Sequence, residues 1–230
     1  MSTKIIGAKE PRSLNVPAWA TPDNMRYICY SNDYEGDAEL RDRRLCLFGE
    51  ILATDNDMMP QGDASESDAI VQQIFNYNRE DAAAGLSIGQ RKPIRMYINS
   101  PGGSVTQGMA IISAIRLSKT PVYTINVGEW SSMAFLIGIS GHKRFSMPDM
   151  IFLMHDGSTL SIGSMSKVQD KMEFDRRYEQ EVVKRLVLSR SNMTSAEYDA
   201  LARVEYYMLP EDALGRGFID QIVTDINDIL

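Results

Sequence analysis

The chain is predicted to fold as an α/β domain built from repeated strand–helix crossover units. Three observations carry this. Short apolar runs that read as strands alternate with helical stretches from residue 45 to 155. The 230 residues are 43% hydrophobic, enough for one large core or at most two small ones. After residue 166 the alternation gives way to one long, charged helix, an element expected to stand apart from the core.

Residues 1 to about 40 are polar and proline-containing with weak periodicity, and are read as an extended or mobile arm; residues 41–230 are read as a single domain. Leu45–Ile51 is a compact apolar run and reads as a buried strand. Ala53 to about Asp68 is rich in Asp, Ser, Met and Gly and reads as a loop, and Ala69–Tyr77 has helical spacing. Ala82–Gln90 is a second connection. Ile94–Asn99 alternates as a strand and is closed by Ser100-Pro101-Gly102-Gly103. Gln107–Leu117 reads as a helix and Val122–Val127 as a strand. Gly128 is read as a turn that places Ser132 at the start of the next helix. Lys143–Ser146 and Ile151–His155 are two further short strands.

Ser166–Ser189 is helical, with Lys167, Asp170, Lys171, Glu173, Asp175, Arg176 and Arg177 interleaved with Val168, Met172, Phe174 and Tyr178. It is either a solvated surface helix or one that projects to pair with a neighbouring subunit. Thr194-Ser195-Ala196-Glu197 forms a capping box that begins a short helix. Pro210 suits the first turn of another helix, ended by Gly217, and Phe218–Val223 reads as the last strand.

The net charge of −7 and a sequence pI near 4.9 argue against a sequence-independent grip on nucleic acid. Cys29 and Cys46 make neither a disulfide framework nor a metal-ligand cluster, so no metal site is expected. No run is long and apolar enough to span a membrane, and the first residues lack a secretory or transit pattern. The expectation is a soluble, cytoplasmic protein.

A serine at a helix start has its hydroxyl beside backbone N–H groups, which suits either an ordinary cap or a nucleophile whose oxyanion needs stabilising. A nucleophilic serine needs a base, and only two histidines are present. His142 lies in a polar turn. His155 ends an apolar strand, where a side chain can face a cleft. The Ser100–Val105 loop can supply an oxyanion donor, bind a phosphate, or simply turn tightly. It is not followed by the Gly-Lys-Ser/Thr of a phosphate-binding loop, and no Gly-x-Ser-x-Gly elbow occurs.

Tyr97-Ile98-Asn99-Ser100-Pro101-Gly102-Gly103-Ser104-Val105 with Gly108-Met109-Ala110-Ile111 resembles the signature of the Clp protease proteolytic subunit family, ClpP. Gly128–Met133 is similar to the segment around that family's nucleophile. Lys143-Arg144-Phe145 and Met154-His155 continue the resemblance, as do Leu209–Ala213 and Gly217–Asp220. It covers about residues 40 to 224.

The resemblance implies a ClpP/crotonase-like spiral of ββα units, with residues of about 157–190 as the family's protruding handle. It implies Ser132 as nucleophile, His155 as general base and acid, and the backbone N–H groups of Gly103 and Met133 as the oxyanion hole. It implies stacked seven-membered rings, fourteen subunits of this chain or its paralogues, that enclose the sites. An ATP-consuming AAA+ unfoldase would deliver polypeptide substrates; this subunit shows no nucleotide motif and needs no cofactor of its own.

Several positions depart from the family pattern. Aligned without gaps back from Asp220, the third catalytic position, usually aspartate, is Glu205. Trp130 stands where a small residue is expected, and either narrows the substrate site or fills core space. Asp156-Gly157-Ser158 replaces the usual Gln-Pro, and Thr159 and Leu160 stand where glycines are common. The connection between Ile51 and Tyr97 is longer than usual. Tyr97 and Leu117 fall near the family's docking pocket but are read as core residues. The leading expectation is a self-compartmentalising serine endopeptidase. The alternatives are a catalytically silent ring subunit and a crotonase-type acyl-CoA enzyme.

Overall fold

The computed structural model describes residues 43–52, 66–157 and 162–230. The predicted N-terminal arm, Cys29, most of the loop before Asp68, and Ser158, Thr159 and Leu160 lie outside the described residues.

Among the described residues, seven strands form one mixed sheet. Strands β1 (Arg44–Phe48), β2 (Ile94–Ser100), β3 (Val122–Ser131), β4 (Lys143–Ser146) and β7 (Gln221–Ile222) run side by side and parallel. Strand β5 (Ile151–Met154) pairs parallel with the far end of β3, and β6 (Tyr206–Met208) pairs antiparallel with β5. Period-two alternation sorts the side chains. Ile94, Met96 and Ile98 enter the main core beneath helices α1 (Glu66–Ala83), α2 (Val105–Leu117) and α3 (Met133–Ile139). Tyr97, Tyr123 and Ile125 contribute to a smaller cluster with Phe145, Val223 and Ile229.

Helix α1 starts before the predicted Ala69 and runs past Tyr77 to Ala83. Tertiary contacts explain its extension through an acidic stretch. Asp81, 1% exposed, is held by Arg43 at 2.6 Å and by the Thr120 hydroxyl at 2.7 Å. Burial alone would raise its pKa, but the Arg43 and Thr120 hydrogen bonds and the guanidinium charge lower it overall.

Strand β3 corrects the expected turn at Gly128. The strand continues to Ser131, and its ladder with β2 slips between Ile98↔Asn126 and Ser100↔Trp130. The Asn126 side chain accepts from the Gly128 N–H at 3.0 Å and donates to the Ile151 carbonyl at 3.0 Å. The irregularity lies where β3 leaves β4, its partner through Asn126, and takes up β5, its partner from Glu129. A bulge bends a strand and re-aims its end, and Gly128 leaves room there for the Asn99 side chain, whose Oδ1 would lie 2.3 Å from a Cβ.

The long charged helix comprises α4 (Met165–Tyr178), a π-helical segment at Glu179–Val183, and α5 (Lys184–Ser189). No residue of α4 is buried. The predicted capping box before α6 (Ser195–Leu201) is formed, with Glu197 bonded to the Thr194 N–H and the Thr194 hydroxyl bonded to the Glu197 N–H. Pro210 opens α7 (Pro210–Gly215) as expected. Only Gln221–Ile222 of the predicted last strand joins the sheet; the Phe218 N–H instead closes the end of α7 on the Ala213 carbonyl at 2.8 Å. Cys46 is a buried thiol within β1. Leu117 is 81% exposed, against its reading as a core residue, whereas Tyr97 packs on the smaller cluster and donates to the Ile229 carbonyl.

Candidate active site

Ser132 is the single residue between β3 and α3. Its backbone adopts φ 54° and ψ −122°, and a positive φ is shared among the described non-glycine residues by Asp149 alone. Such a conformation costs on the order of 1–3 kcal/mol and persists only where surroundings over-determine it. Those surroundings are visible. The Ser132 N–H donates to the Leu153 carbonyl of β5 at 3.0 Å, and its carbonyl accepts from Phe135 and Leu136 in the first turn of α3. Gly102 lies against the turn: a Cβ there would sit 2.7 Å from the Ser131 carbonyl oxygen, and 2.8 Å from both the Met133 nitrogen and the Ser132 Cβ. The close approach, at φ 96°, requires glycine. Below the turn, Trp130 is fully buried, packed edge-on to Phe152 at 5.4 Å and flush against Gly138 of α3. Trp130 therefore fills core space.

The other half of the site comes from β5 and β6. Their antiparallel register pairs Leu153 with Tyr207 and Met154 with Tyr206. The next pair outward is His155 and Glu205, and cross-strand neighbours in this register are close enough to interact. His155 Nδ1 lies 3.0 Å from Glu205 Oε1. The His155 side chain is 21% exposed and that of Glu205 57%. A carboxylate on Nδ1 selects the tautomer with Nδ1 protonated, leaving Nε2 as the basic nitrogen. Nε2 is buried and makes no hydrogen bond, so the structure joins His155 to Glu205 but does not close a bond from Ser132 to His155. Nucleophile–base hydrogen bonds are often long in unliganded sites and tighten with substrate.

Gly103 and Met133 flank this region. Gly103 bridges Ile51, and the two hydrogen bonds of that bridge use the Gly102 carbonyl and the Ser104 N–H, not the Gly103 N–H. Met133 opens α3, where the first N–H groups have no acceptor within the helix. His142 is elsewhere: it lies in the turn before β4, and its Nδ1 accepts from the Val122 N–H at 3.1 Å. Among the described residues, no group of His, Cys, Asp and Glu side chains could hold a metal ion. No helix there is long and apolar enough to cross a membrane.

Three contributors to the site are not legible in the sequence. The Leu153 carbonyl and the β6 strand have no local signal, since a three-residue strand is too short to show periodicity. Gly102 was visible as half of a glycine pair, but only packing distinguishes the glycine pressed on Ser132 from its neighbour.

The site thus sits within a sheet whose strand β3 changes partners and ends beside a strained serine, and whose β5–β6 ladder continues into a histidine–carboxylate pair. A family model described as Clp protease matches residues 60–225, a span that includes every element from α1 to β7 together with Gly103, Ser132, Met133, His155 and Glu205. The chain belongs to the Clp protease family, and its mixed α/β architecture is the ClpP/crotonase-like fold.

Proposed function

We propose that this chain is the serine endopeptidase subunit of a compartmentalised, ATP-dependent protease. The observation that carries the reading is the His155–Glu205 hydrogen bond one ladder position beyond the strand that anchors the Ser132 turn. Ser132 Oγ attacks the scissile carbonyl carbon while His155 Nε2 takes its proton. The carbonyl oxygen becomes an oxyanion, which the N–H groups of Gly103 and Met133 stabilise. The imidazolium, held by Glu205, returns the proton to the leaving amine as the C–N bond breaks. Water then repeats the sequence on the acyl-enzyme, with His155 again as base, and releases the peptide and the serine.

Assembly belongs to the same reading. The handle α4 exposes Met165 (89%), Met172 (44%) and Phe174 (50%), apolar surface suited to a second subunit. Copies of this chain or its paralogues would stack as two seven-membered rings, fed with unfolded polypeptide by an AAA+ unfoldase that consumes the ATP, in the cytoplasm. The subunit itself would use no cofactor.

The test is hydrolysis of a short fluorogenic peptide by the purified chain. Ser132→Ala is expected to abolish turnover while leaving ring assembly intact; retained turnover removes Ser132 from the mechanism. A second reading, a catalytically silent ring subunit, is favoured by glutamate at position 205, where the family pattern has aspartate. It predicts assembly without turnover by the wild-type chain alone.

A further inference from the structure

We propose that Tyr198 is a positioning residue: through its hydrogen bond to Glu179 in the π-helical segment of the handle, it sets the placement of the His155–Glu205 pair. The proposal rests on the peptidase reading above for its catalytic meaning.

Tyr198, 2% exposed, is the one buried residue of α6 and joins the main core together with Leu201 and the capping Ala202. Its hydroxyl donates to Glu179 Oε1. Glu179 opens the π-helical segment between α4 and α5, and such a segment displaces the side chains of a helix from their regular phase. A second tie runs alongside: Lys184 of α5 contacts Asp199 at 2.6 Å and lies over the Tyr198 ring at 5.8 Å.

From Tyr198 the linkage reaches both members of the pair. The Tyr198 carbonyl accepts from the Ala202 N–H at 2.8 Å, and the Ala202 carbonyl accepts from the Asp156 N–H at 2.5 Å. Asp156 directly follows His155, and Glu205 lies just beyond Ala202. The end of α6 therefore grips the histidine's neighbour with its backbone and delivers the carboxylate. Strand β6 is too short to supply that placement alone, and Glu205 is mostly exposed. The donor side of the contact persists at high pH. Burial, then the hydrogen bond and charge of Glu179, push the Tyr198 hydroxyl well above its usual range, so it remains a donor. Burial raises the Glu179 carboxyl, opposed by the Tyr198 hydrogen bond and reinforced by the Asp156 charge.

The experiment compares Tyr198→Phe and Glu179→Gln in the full chain as it assembles. Phe keeps the buried ring and removes only the donor; Gln keeps an acceptor oxygen. Tyr198→Phe is expected to lower kcat about fivefold, the scale of one partly buried hydrogen bond, with KM unchanged. Glu179→Gln is expected to keep at least about half the rate. A second readout needs no turnover: carbethoxylation of His155 by diethyl pyrocarbonate, followed by peptide mass spectrometry. Its rate is expected to change about threefold or more in Tyr198→Phe while that of His142 stays constant. Unchanged kcat and unchanged His155 labelling overturn the proposal. So does a parallel change at His142, which would signify general loosening. If the wild-type chain hydrolyses no peptide, the peptidase reading fails, and the His155 labelling alone decides the positioning role.

Discussion

The two halves of the candidate site are built differently. Ser132 sits on a turn walled in by core. Trp130 lies beneath it, Gly102 presses against it, and the Leu153 carbonyl and the first turn of α3 hold its backbone on either side. The His155–Glu205 pair stands at the open end of a two-strand ladder, where β6 has three residues and the carboxylate is more than half exposed. A strained conformation survives only where packing leaves no alternative, whereas a hydrogen-bonded pair at a strand edge can be adjusted at small cost. The nucleophile is therefore the rigid half, and the base and its carboxylate are the half that a neighbouring element can tune.

This contrast is open to direct attack. The most severe change is Gly102→Ala. Its Cβ would stand 2.7–2.8 Å from backbone atoms of Ser131 and Met133, at a backbone angle that alanine rarely adopts. Loss of folded protein or of all hydrolysis is expected, measured by thermal melting and peptide turnover; a stable, active Gly102→Ala variant would show that the turn is not over-determined. Trp130→Ala should follow, costing about 3–5 kcal/mol by removing a large buried ring beneath the same turn, as read by denaturant unfolding.

On the open half the effects should fall on rate, not stability. Glu205→Gln is expected to lower kcat on the order of 100-fold, equivalent to about 2.7 kcal/mol, with little change in melting temperature. The amide can donate to Nδ1 and so select the wrong tautomer. Glu205→Asp restoring activity would sharpen the assignment; an unchanged rate in Glu205→Gln would end it.

The smallest effect concerns the cap of α6. Glu197 is held down at about 2 by hydrogen bonds from the Thr194 N–H, then from Arg216 and the Thr194 hydroxyl. A carboxyl lowered in the folded state contributes stability above its unfolded value of 4.5, lost as pH falls towards 2. Thr194→Ala should cost about 1 kcal/mol at neutral pH. The gap in melting temperature between it and wild type should narrow below about pH 4. A gap that stays constant with pH would separate the cap from Glu197.

Most strands and helices were legible in the sequence because each carries its own period or punctuation. Ile94, Met96 and Ile98 alternate; Thr194 and Glu197 box a helix start; Pro210 opens a helix. The family resemblance rests on stretches of this kind, and the family match over residues 60–225 agrees with it. Ser132 and His155 were approachable for the same reason, since each stands at the end of an apolar run. Chain-local pattern determined those elements and that short list of candidates.

Other features depend on partners distant in sequence. Gly128 reads as a turn until β5 is present to receive the end of β3. Glu205 is one of many surface carboxylates until the β5–β6 register sets it opposite His155. Gly102 and Gly103 are equivalent in sequence, and only the packing of the Ser132 turn separates them. Tyr198 reads as one more aromatic on a short helix until Glu179 of the handle meets its hydroxyl. A hydrogen bond or close approach between distant residues leaves no period in either segment. Amino-acid order alone determined most of the elements; tertiary packing decided the rest, β6 and the end of β3 among them, and with the mutual placement of all of them which side chains meet.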